Sequence, residues 1–299
     1  MIVYKDGAWK PIEETQVSVM DHGFLYGVGL FETFRTYNGV PFLFRDHLQR
    51  LTEGLQSVFI DWHYEEQELR DLVTQALKHN KVQEGIIRLN VTAGISNWGL
   101  PTETYDKPSL LLFTRPVPPL PGSAKTAEFL NLRRNTPEGE YRLKSHHYLN
   151  NLLGKRELGS KPDVEGIFLT AEGYIAEGLV SNVFWIKEDT LYTPSFETGI
   201  LKGVTRQFVL HLAKLIGLTV KIGFFAKEDL LAADAVFITN STQELVPISS
   251  ISNKAFSIES QWLKKLQRLY EESTGEQLLT YQEVKRVEEK NGKYQLISN

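Results

Sequence analysis

The chain has 299 residues, 41% of them hydrophobic, and its 33 Lys plus Arg against 37 Asp plus Glu give a net charge of −4. This composition excludes a disordered or fibrous chain, and the mixed charges do not predict binding to nucleic acid or to an anionic membrane surface. The absence of cysteine from the sequence excludes disulfides, thiolate metal sites and a cysteine nucleophile. Charged residues near Met1 and the lack of a long apolar run predict neither a signal peptide nor a membrane span, so we expect a cytoplasmic protein.

Residues 1–118 are predicted to form a small α+β domain. Short β-rich runs alternate with two segments in which apolar residues recur every three or four positions, as in amphipathic helices. The predicted strands are Val17–Val19, Phe31–Tyr37, Ile86–Thr92 and Leu110–Thr114, and the predicted helices are Phe44–Val58 and Glu65–Lys78. Four prolines then fall between Pro116 and Pro121. Because proline cannot donate to a β ladder, this segment predicts an extended crossing between domains near 116–124.

Residues 119–299 are predicted to form a larger α/β domain, so that the whole chain is of the α/β class. The predicted helices are Ser145–Glu157, Arg206–Ile216 and Lys227–Ala233, and the predicted strands are Gly166–Thr170, Val183–Ile186, Leu218–Ile222 and Ala235–Thr239. From Ser260 onward the sequence is rich in charged residues, which predicts a peripheral helical extension over residues 260–299.

The turn Thr198–Arg206 leads directly into a predicted helix and contains two glycines. Glycine allows the backbone to approach a ligand closely, and the free N–H groups at a helix N-terminus favour an anion. The turn is therefore a candidate phosphate site, although it lacks the Lys-Ser/Thr ending of a nucleotide-binding P-loop. The alternative is an ordinary glycine-rich loop with Thr205 as the N-cap of the helix.

Two further residues are candidates for cofactor chemistry. Lys144 precedes an apolar helical pattern and lies close to Arg142, whose positive charge would favour the neutral, nucleophilic amine. Glu177 lies in an apolar, strand-rich region, where a carboxylate needs a cation such as a protonated pyridine. A solvated surface lysine and an edge-strand glutamate are the alternatives. The adjacent His146 and His147 lack a regularly spaced third ligand, so we predict no metal site.

Lysine, glutamate and phosphate site occur in the order Lys144, Glu177 and Gly203–Thr205. An amine for the aldehyde, a carboxylate for the ring nitrogen and donors for the phosphate are the three contacts that pyridoxal 5′-phosphate requires. Their conjunction predicts this cofactor more strongly than any one of them.

Residues 1 to about 250 resemble the class IV aminotransferase family of pyridoxal-phosphate enzymes, and six segments carry the resemblance. They are Asp21–Thr33, Phe44–Leu51, the stretch after Lys144, Glu177–Asn182, Gly199–Arg206 and Thr239–Glu244. The resemblance implies a two-domain fold like that of D-amino acid aminotransferase, working as a homodimer.

The resemblance also implies individual roles. Lys144 would bond to the cofactor's aldehyde carbon and move a proton, and Glu177 would hold the pyridine nitrogen. Tyr148 would lie near the ring oxygen. The implied phosphate ligands are Arg50, Val204, Thr205 and Ser241.

Within the family, the chain is similar to the aminodeoxychorismate lyases, which convert 4-amino-4-deoxychorismate into 4-aminobenzoate and pyruvate in folate biosynthesis. The lyase pattern has Thr33 where branched-chain enzymes have glycine, and Ala93 stands where D-amino acid aminotransferases have an arginine. The segments Arg133–Gly139 and Lys144–Asn151 also resemble the lyases. The alternatives are a branched-chain or D-amino acid aminotransferase and, from another class, a non-catalytic pyridoxal-phosphate-binding protein.

For the lyase reaction, Thr33 is a candidate catalytic proton donor to the departing enolpyruvate. Arg88 is a candidate partner of a substrate carboxylate because its planar fork fits that group, and a surface strand residue is the alternative. Phe31 and Thr242 are further candidates for substrate binding.

Overall fold

A computed structural model describes residues 1–118, 124–290 and 293–298, and the chain divides into two compact units. The first unit comprises Met1–Pro118, Leu143–His147 and Gln277–Thr280, and the second comprises Pro119–Arg142, Tyr148–Glu276 and Tyr281–Asn299. Residues 119–123 of the predicted domain crossing lie outside the described residues.

Two short stretches of the predicted second domain, Leu143–His147 and Gln277–Thr280, therefore belong to the first unit. The reason is backbone hydrogen bonding over a long sequence separation. The Phe31 N–H donates to the Lys144 carbonyl oxygen at 2.9 Å, and the Leu43 N–H donates to the Leu278 carbonyl oxygen at 2.9 Å.

The first unit is built on an antiparallel six-stranded sheet with the spatial order β2-β1-β6-β5-β3-β4. Its strands are β1 (Ile2–Lys5), β2 (Ala8–Pro11), β3 (Gly29–Tyr37), β4 (Val40–Pro41), β5 (Gly85–Thr92) and β6 (Ser109–Pro116). Its helices are α1 (His22–Leu25), α2 (Phe44–Ser57) and α3 (Glu66–His79), with a short 3-10 turn at Ile12–Glu14.

The helices α2 and α3 cover one face of this sheet and form the core with it. In β3, Leu30 and Phe34 point to that face, and the ring of Phe34 meets the ring of Phe44 edge-on at 5.3 Å. The helix side of the core includes Leu51, Leu55, Leu69, Val73 and Leu77. These residues have the spacing from which the two helices were predicted. Residues 31, 33 and 35 of β3 point to the opposite face, because side chains alternate along a strand.

The second unit is built on a mixed nine-stranded sheet with the spatial order β12-β11-β10-β13-β14-β7-β8-β9, and β15 pairs with β14. Its strands are β7 (Lys125–Phe129), β8 (Val164–Leu169), β9 (Ile175–Gly178), β10 (Asn182–Lys187), β11 (Thr190–Pro194), β12 (Thr219–Gly223), β13 (Ala235–Asn240), β14 (Glu244–Ile251) and β15 (Lys254–Ala255). Its helices are α4 (Leu149–Leu158), α5 (Val204–Leu215), α6 (Lys227–Leu231) and α7 (Gln261–Gly275). A separate hairpin joins β16 (Val284–Lys290) to β17 (Lys293–Ser298).

Helix α5 positions the candidate phosphate turn because its apolar face is buried. Phe208, Val209 and Leu212 are fully enclosed, and the ring of Phe208 lies 5.7 Å from that of Tyr270 on α7. Full burial of each such side chain contributes about 1.5–3 kcal/mol to folding. The N-terminus of α5 is therefore held firmly in this unit.

Three expectations about secondary structure are wrong. Val17–Val19 is exposed loop and turn, since it has no partner strand in the described sheet. The helix predicted from Ser145 begins at Leu149, because Ser145 pairs with Leu30 instead. Of the predicted helical extension over 260–299, Gln261–Gly275 is an α-helix, and a 3-10 turn at Tyr281–Glu283 and a charged hairpin follow it.

Within the described ranges, no helix is both long and apolar enough to cross a membrane. In the same ranges, no group of three or more histidine, cysteine or acidic residues is arranged to hold a metal ion.

Candidate active site

Lys144 lies in an extended segment along the edge of β3, rather than beside a helix. Ser145 forms an antiparallel bridge with Leu30, which places Lys144 next to Phe31. Because neighbouring residues of a strand point to opposite faces, Lys144 and Phe31 share the face that α2 and α3 leave uncovered. The Nζ of Lys144 lies 4.7 Å from the centroid of the Phe31 ring.

The same face carries Arg88 and Thr33. The two residues pair in register between β5 and β3, so their side chains point to the side of the sheet that Phe31 occupies. The guanidinium carbon of Arg88 lies 3.5 Å from the centroid of the Phe31 ring, which is a close cation–π contact. The sheet thus brings together four predicted site residues, and Arg88 is a half-buried residue of this face.

His146 adds an uncharged polar group to this face. Burial and the nearby charge of Arg88 lower the pKa of His146 to about 4, so the imidazole is neutral near pH 7. Its Nε2 lies 3.0 Å from Asn90 Oδ1. Arg88 and Lys144 place their cationic groups beside the Phe31 ring on this face, an arrangement that suits a substrate with carboxylate groups.

Arg50 is held by Glu32 from β3. The Nε of Arg50 donates to Glu32 Oε1 at 2.7 Å, and its Nη2 donates to Oε2 at 2.6 Å. The Nδ1 of His47 lies 2.7 Å from the same Oε2. Burial alone would raise the pKa of the Glu32 carboxyl, but Arg50 and His47 more than offset burial, and the pKa falls to about 2. Burial lowers the pKa of His47, so His47 donates as a neutral imidazole and Arg50 supplies the positive charge.

Glu177 is the buried acid of the second unit. It lies at the end of β9, where it is 4% exposed. Its Oε1 accepts from Arg134 Nε at 2.9 Å, and its Oε2 accepts the Leu201 N–H at 2.9 Å. A carboxylate has about four acceptor positions, so Oε2 retains one for a further donor. Glu177 therefore lies on an edge strand, as the alternative interpretation has it, but as a buried carboxylate that is ion-paired with Arg134.

Two sets of contacts connect the turn before α5 to Glu177. Besides the Leu201 N–H bond, Arg142 donates to the Gly199 carbonyl oxygen and lies 3.7 Å from the Glu177 carboxylate. Burial, together with the charge of Arg134, lowers the pKa of Arg142 from its usual value. Glu177, which is expected to contact the ring nitrogen, is thus connected by a hydrogen bond and through Arg142 to the turn that is expected to bind the phosphate.

Gly203 is the N-cap of α5 and carries no side chain with which to cap the helix. A Cβ at this position would collide with Asn182 Oδ1, so the chain needs glycine here. Thr205 lies inside the first turn of the helix, and its hydroxyl is 3.4 Å from the hydroxyl of Ser241. The interpretation of Thr205 as an N-cap is wrong. The N-terminus of α5 and the hydroxyls of Thr205 and of Ser241, which follows β13, together offer the kind of donors that a phosphate requires.

The remaining predicted residues lie elsewhere in the second unit. Thr242 is in the turn between β13 and β14, where its N–H and hydroxyl both donate to Asn240 Oδ1, at 3.0 and 2.9 Å. Tyr148 is the residue before α4 and is 39% exposed.

Comparison with known proteins identifies the family. The sequence pattern described as amino-transferase class IV matches residues 29–251. The aminodeoxychorismate lyase of Bacillus subtilis (strain 168) is 46% identical over 274 residues, which are 90% of this chain and 93% of that protein. The chain therefore belongs to the class IV aminotransferase family.

Two solved structures of relatives agree with this assignment. The branched-chain amino acid aminotransferase of Escherichia coli has a TM-score of 0.81 at 27% identity, covering 92% of this chain and 95% of that one. The 4-amino-4-deoxychorismate lyase of Pseudomonas aeruginosa has a TM-score of 0.80 at 27% identity, covering 90% and 98%. The predicted α/β, two-domain fold is confirmed.

Pyridoxal phosphate is the cofactor of this family, and the residues present fit it. The first unit supplies an amine at Lys144 and a fixed guanidinium at Arg50. The second unit supplies a buried anion at Glu177 and a turn at Gly203 in which only glycine fits.

Sequence reasoning missed the residues that hold these groups in place. Glu32 had a recognisable signal, because it is an acid on the face of β3 that otherwise carries Leu30 and Phe34. Arg134 had no local signal, since its partner Glu177 is 43 residues away in the sequence.

Proposed function

We propose that this chain is an aminodeoxychorismate lyase, which uses pyridoxal phosphate to convert 4-amino-4-deoxychorismate into 4-aminobenzoate and pyruvate for folate biosynthesis. The observation that carries the proposal is the 46% identity over 90% of the chain to the B. subtilis lyase. The positions of Thr33, Arg88 and Lys144 on one sheet face support it.

When bound, pyridoxal phosphate supplies an electron-withdrawing ring conjugated to the carbon that bears the substrate's amine. In the proposed reaction, Lys144 Nζ removes the proton from that carbon. The carbon–oxygen bond to the enolpyruvate group breaks, and its electron pair leaves with the oxygen. The six-membered ring becomes aromatic, and the enolpyruvate gains a proton and is released as pyruvate.

The hydroxyl of Thr33 is proposed to donate a proton to the departing oxygen. Its register with Arg88 places the hydroxyl on the same face as Lys144. Arg88, whose guanidinium packs on the Phe31 ring, is proposed to bind a substrate carboxylate. Thr242 is proposed as a further substrate contact.

Individual residues are proposed to contact the cofactor. Glu177 would accept from the ring nitrogen, and Tyr148 would lie near the ring oxygen. The proposed phosphate ligands are Arg50, Val204, Thr205 and Ser241. The hydroxyl pair of Thr205 and Ser241 supports this last assignment.

The test is to incubate the purified holoenzyme with enzymatically prepared 4-amino-4-deoxychorismate. We expect equal amounts of 4-aminobenzoate and pyruvate without any added keto acid or amino acid. An enzyme that transaminates branched-chain or D-amino acids faster than it releases pyruvate would refute the lyase assignment and establish the aminotransferase alternative.

The variant Thr33→Ala tests the proton donor. A positioned acid contributes roughly 10²–10⁴-fold to rate, so we expect 4-aminobenzoate formation to fall by that order while cofactor binding is retained. Thr36→Ala is the control, because Thr36 is on the same strand but points to the buried face. If Thr33→Ala lowers stability and all activities in parallel, as Thr36→Ala should, Thr33 is only a packing residue.

A homodimeric state and a cytoplasmic location are also part of the proposal. The dimer is supported by apolar side chains on α4 that remain exposed in the single chain, with Leu149 at 66%, Leu152 at 53% and Leu153 at 42% exposure. Sedimentation equilibrium of the holoenzyme tests the dimer, and cell fractionation against cytosolic and periplasmic markers tests the location.

A further inference from the structure

Two segments that resemble the lyases, Arg133–Gly139 and Asn150–Asn151, have no role in the function proposed above. The structure joins them at Arg134, which is 8% exposed. The Nε of Arg134 donates to Glu177 Oε1 at 2.9 Å, and its Nη1 meets three amide oxygens. The Nη1 lies 2.6 Å from Asn150 Oδ1 and 3.3 Å from the Oδ1 atoms of both Asn135 and Asn151.

These contacts fix the guanidinium in place. Asn150 and Asn151 are themselves anchored, since their Nδ2 atoms donate to the carbonyl oxygens of Arg133 and Leu179. A guanidinium held by three amide oxygens cannot turn away from the carboxylate without losing several hydrogen bonds. Arg134 therefore keeps Glu177 in one orientation and places a positive charge directly against it.

The surroundings of Glu177 are positive overall. Three buried cations, Arg134, Arg142 and Arg206, act on this region, and Glu177 and Glu138 are the anions that face them. Burial lowers the pKa of Arg206 to about 10, although the Glu177 charge opposes that change. The Glu177 carboxylate is thus more than neutralised by its neighbours.

We propose that Arg134 is a positioning residue that fixes Glu177 and, by offsetting its charge, limits how far the cofactor's ring nitrogen is protonated. A carboxylate alone beside a pyridine favours the protonated ring, and a cation beside the same carboxylate opposes that effect. The inference rests on the proposed function, because that function places Glu177 at the ring nitrogen.

Limited protonation of the ring nitrogen is consistent with an elimination reaction. When Lys144 removes the proton, the electron pair must leave with the enolpyruvate oxygen rather than remain on the cofactor ring. A ring nitrogen with less positive charge withdraws that pair less strongly. The network at Arg134 would therefore favour departure of the leaving group over return of the proton to the cofactor.

The test follows the ring nitrogen by ¹⁵N NMR in holoenzyme loaded with pyridoxal phosphate labelled at that nitrogen. In Arg134→Gln, an amide replaces the charge, and we expect the ring to stay protonated to a pH higher by about one unit or more. Arg134→Lys keeps the charge and should titrate as the parent does. Arg133→Gln is the matched control, because it makes the same change at the adjacent, exposed position.

Two results would overturn the proposal. One is an Arg134→Gln enzyme whose ring nitrogen titrates with the parent, and the other is a similar change in Arg133→Gln. If Arg134→Gln does not bind cofactor, Asn150→Asp decides, because a carboxylate against Arg134 Nη1 offsets the same charge. We expect its ring nitrogen to stay protonated to a higher pH than in the parent, and an unchanged titration would overturn the proposal. A parent that binds cofactor but forms no 4-aminobenzoate would refute the proposed function, and the titration would still decide the role of Arg134.

Discussion

Replacing Glu32 by glutamine should destabilise the first unit at neutral pH and do so less in acid. The Glu32 carboxylate is 0% exposed and accepts three charged or polar N–H groups from Arg50 and His47. The glutamine amide has one oxygen, so its NH₂ group must face an N–H donor of Arg50 or His47. Arg50 then loses its carboxylate partner within the core.

The magnitude follows from the depressed pKa. A pKa of about 2 in place of the usual 4.5 corresponds, at 1.36 kcal/mol for each unit, to about 3 kcal/mol of stability at pH 7. Removing one partner of a buried ion pair typically costs about 3–5 kcal/mol, which agrees. Because the folded-state pKa is the lower one, this stability is complete above pH 4.5 and is lost as the pH falls through 2. About half should remain at pH 3.

The assay is urea unfolding of parent and variant, followed by circular dichroism and tryptophan fluorescence at several pH values. Glu84→Gln is the control, because Glu84 pairs with Arg35 at 3.6 Å but is 41% exposed, and exposed pairs contribute only about 0–1 kcal/mol. The reasoning is refuted if Glu32→Gln costs less than about 1 kcal/mol at pH 7. A cost that stays constant down to pH 3 would refute it as well.

Two further predictions concern the cofactor site. Reduction of the holoenzyme with borohydride should fix the cofactor on one peptide, because Lys144 is the proposed covalent partner; mass spectrometry that finds the label on another lysine would contradict the assignment. Gly203→Ala should weaken pyridoxal phosphate binding roughly tenfold, since the new Cβ meets Asn182 and overpacking typically costs 1–3 kcal/mol. Gly139→Ala, where a Cβ meets open space, should leave the affinity unchanged, and equal affinities of the two variants would show that the turn tolerates a side chain.

The sequence predicts helices well where one apolar stripe decides the structure. Helices α2 and α5 were located to within two residues at each end, because their buried faces recur at the helical period. The start of α4 was placed too early, since residues near Ser145 pair with a strand more than a hundred residues away. The hairpin of β16 and β17 was missed because its charged residues also fit a solvated helix.

The residues of the candidate site likewise fall into two groups, those with a local sequence signal and those placed by long-range contacts. The turn at Gly203 was predictable because glycines before a helix are a local signal. Lys144 and Glu177 became convincing only together and through the family resemblance. The partners that fix them, Arg134 for Glu177 and Glu32 for Arg50, depend on strand register and long-range packing, which neither periodicity nor spacing reveals.

The division of the chain has a consequence for its synthesis. Because the first unit takes its last segment from Gln277–Thr280, the polypeptide passes from one unit to the other five times. Leu43 and Asp46 meet their partners Leu278 and Thr280 only when nearly the whole chain has been made. At about 5–20 residues per second, roughly ten to thirty seconds of translation separate residue 118 from residue 280. The amino-terminal unit, although first to leave the ribosome, is among the last parts of the protein to be completed. A gene fragment encoding residues 1–118 would contain all six strands of the sheet but would lack Leu143–His147 and Gln277–Thr280, which complete the unit.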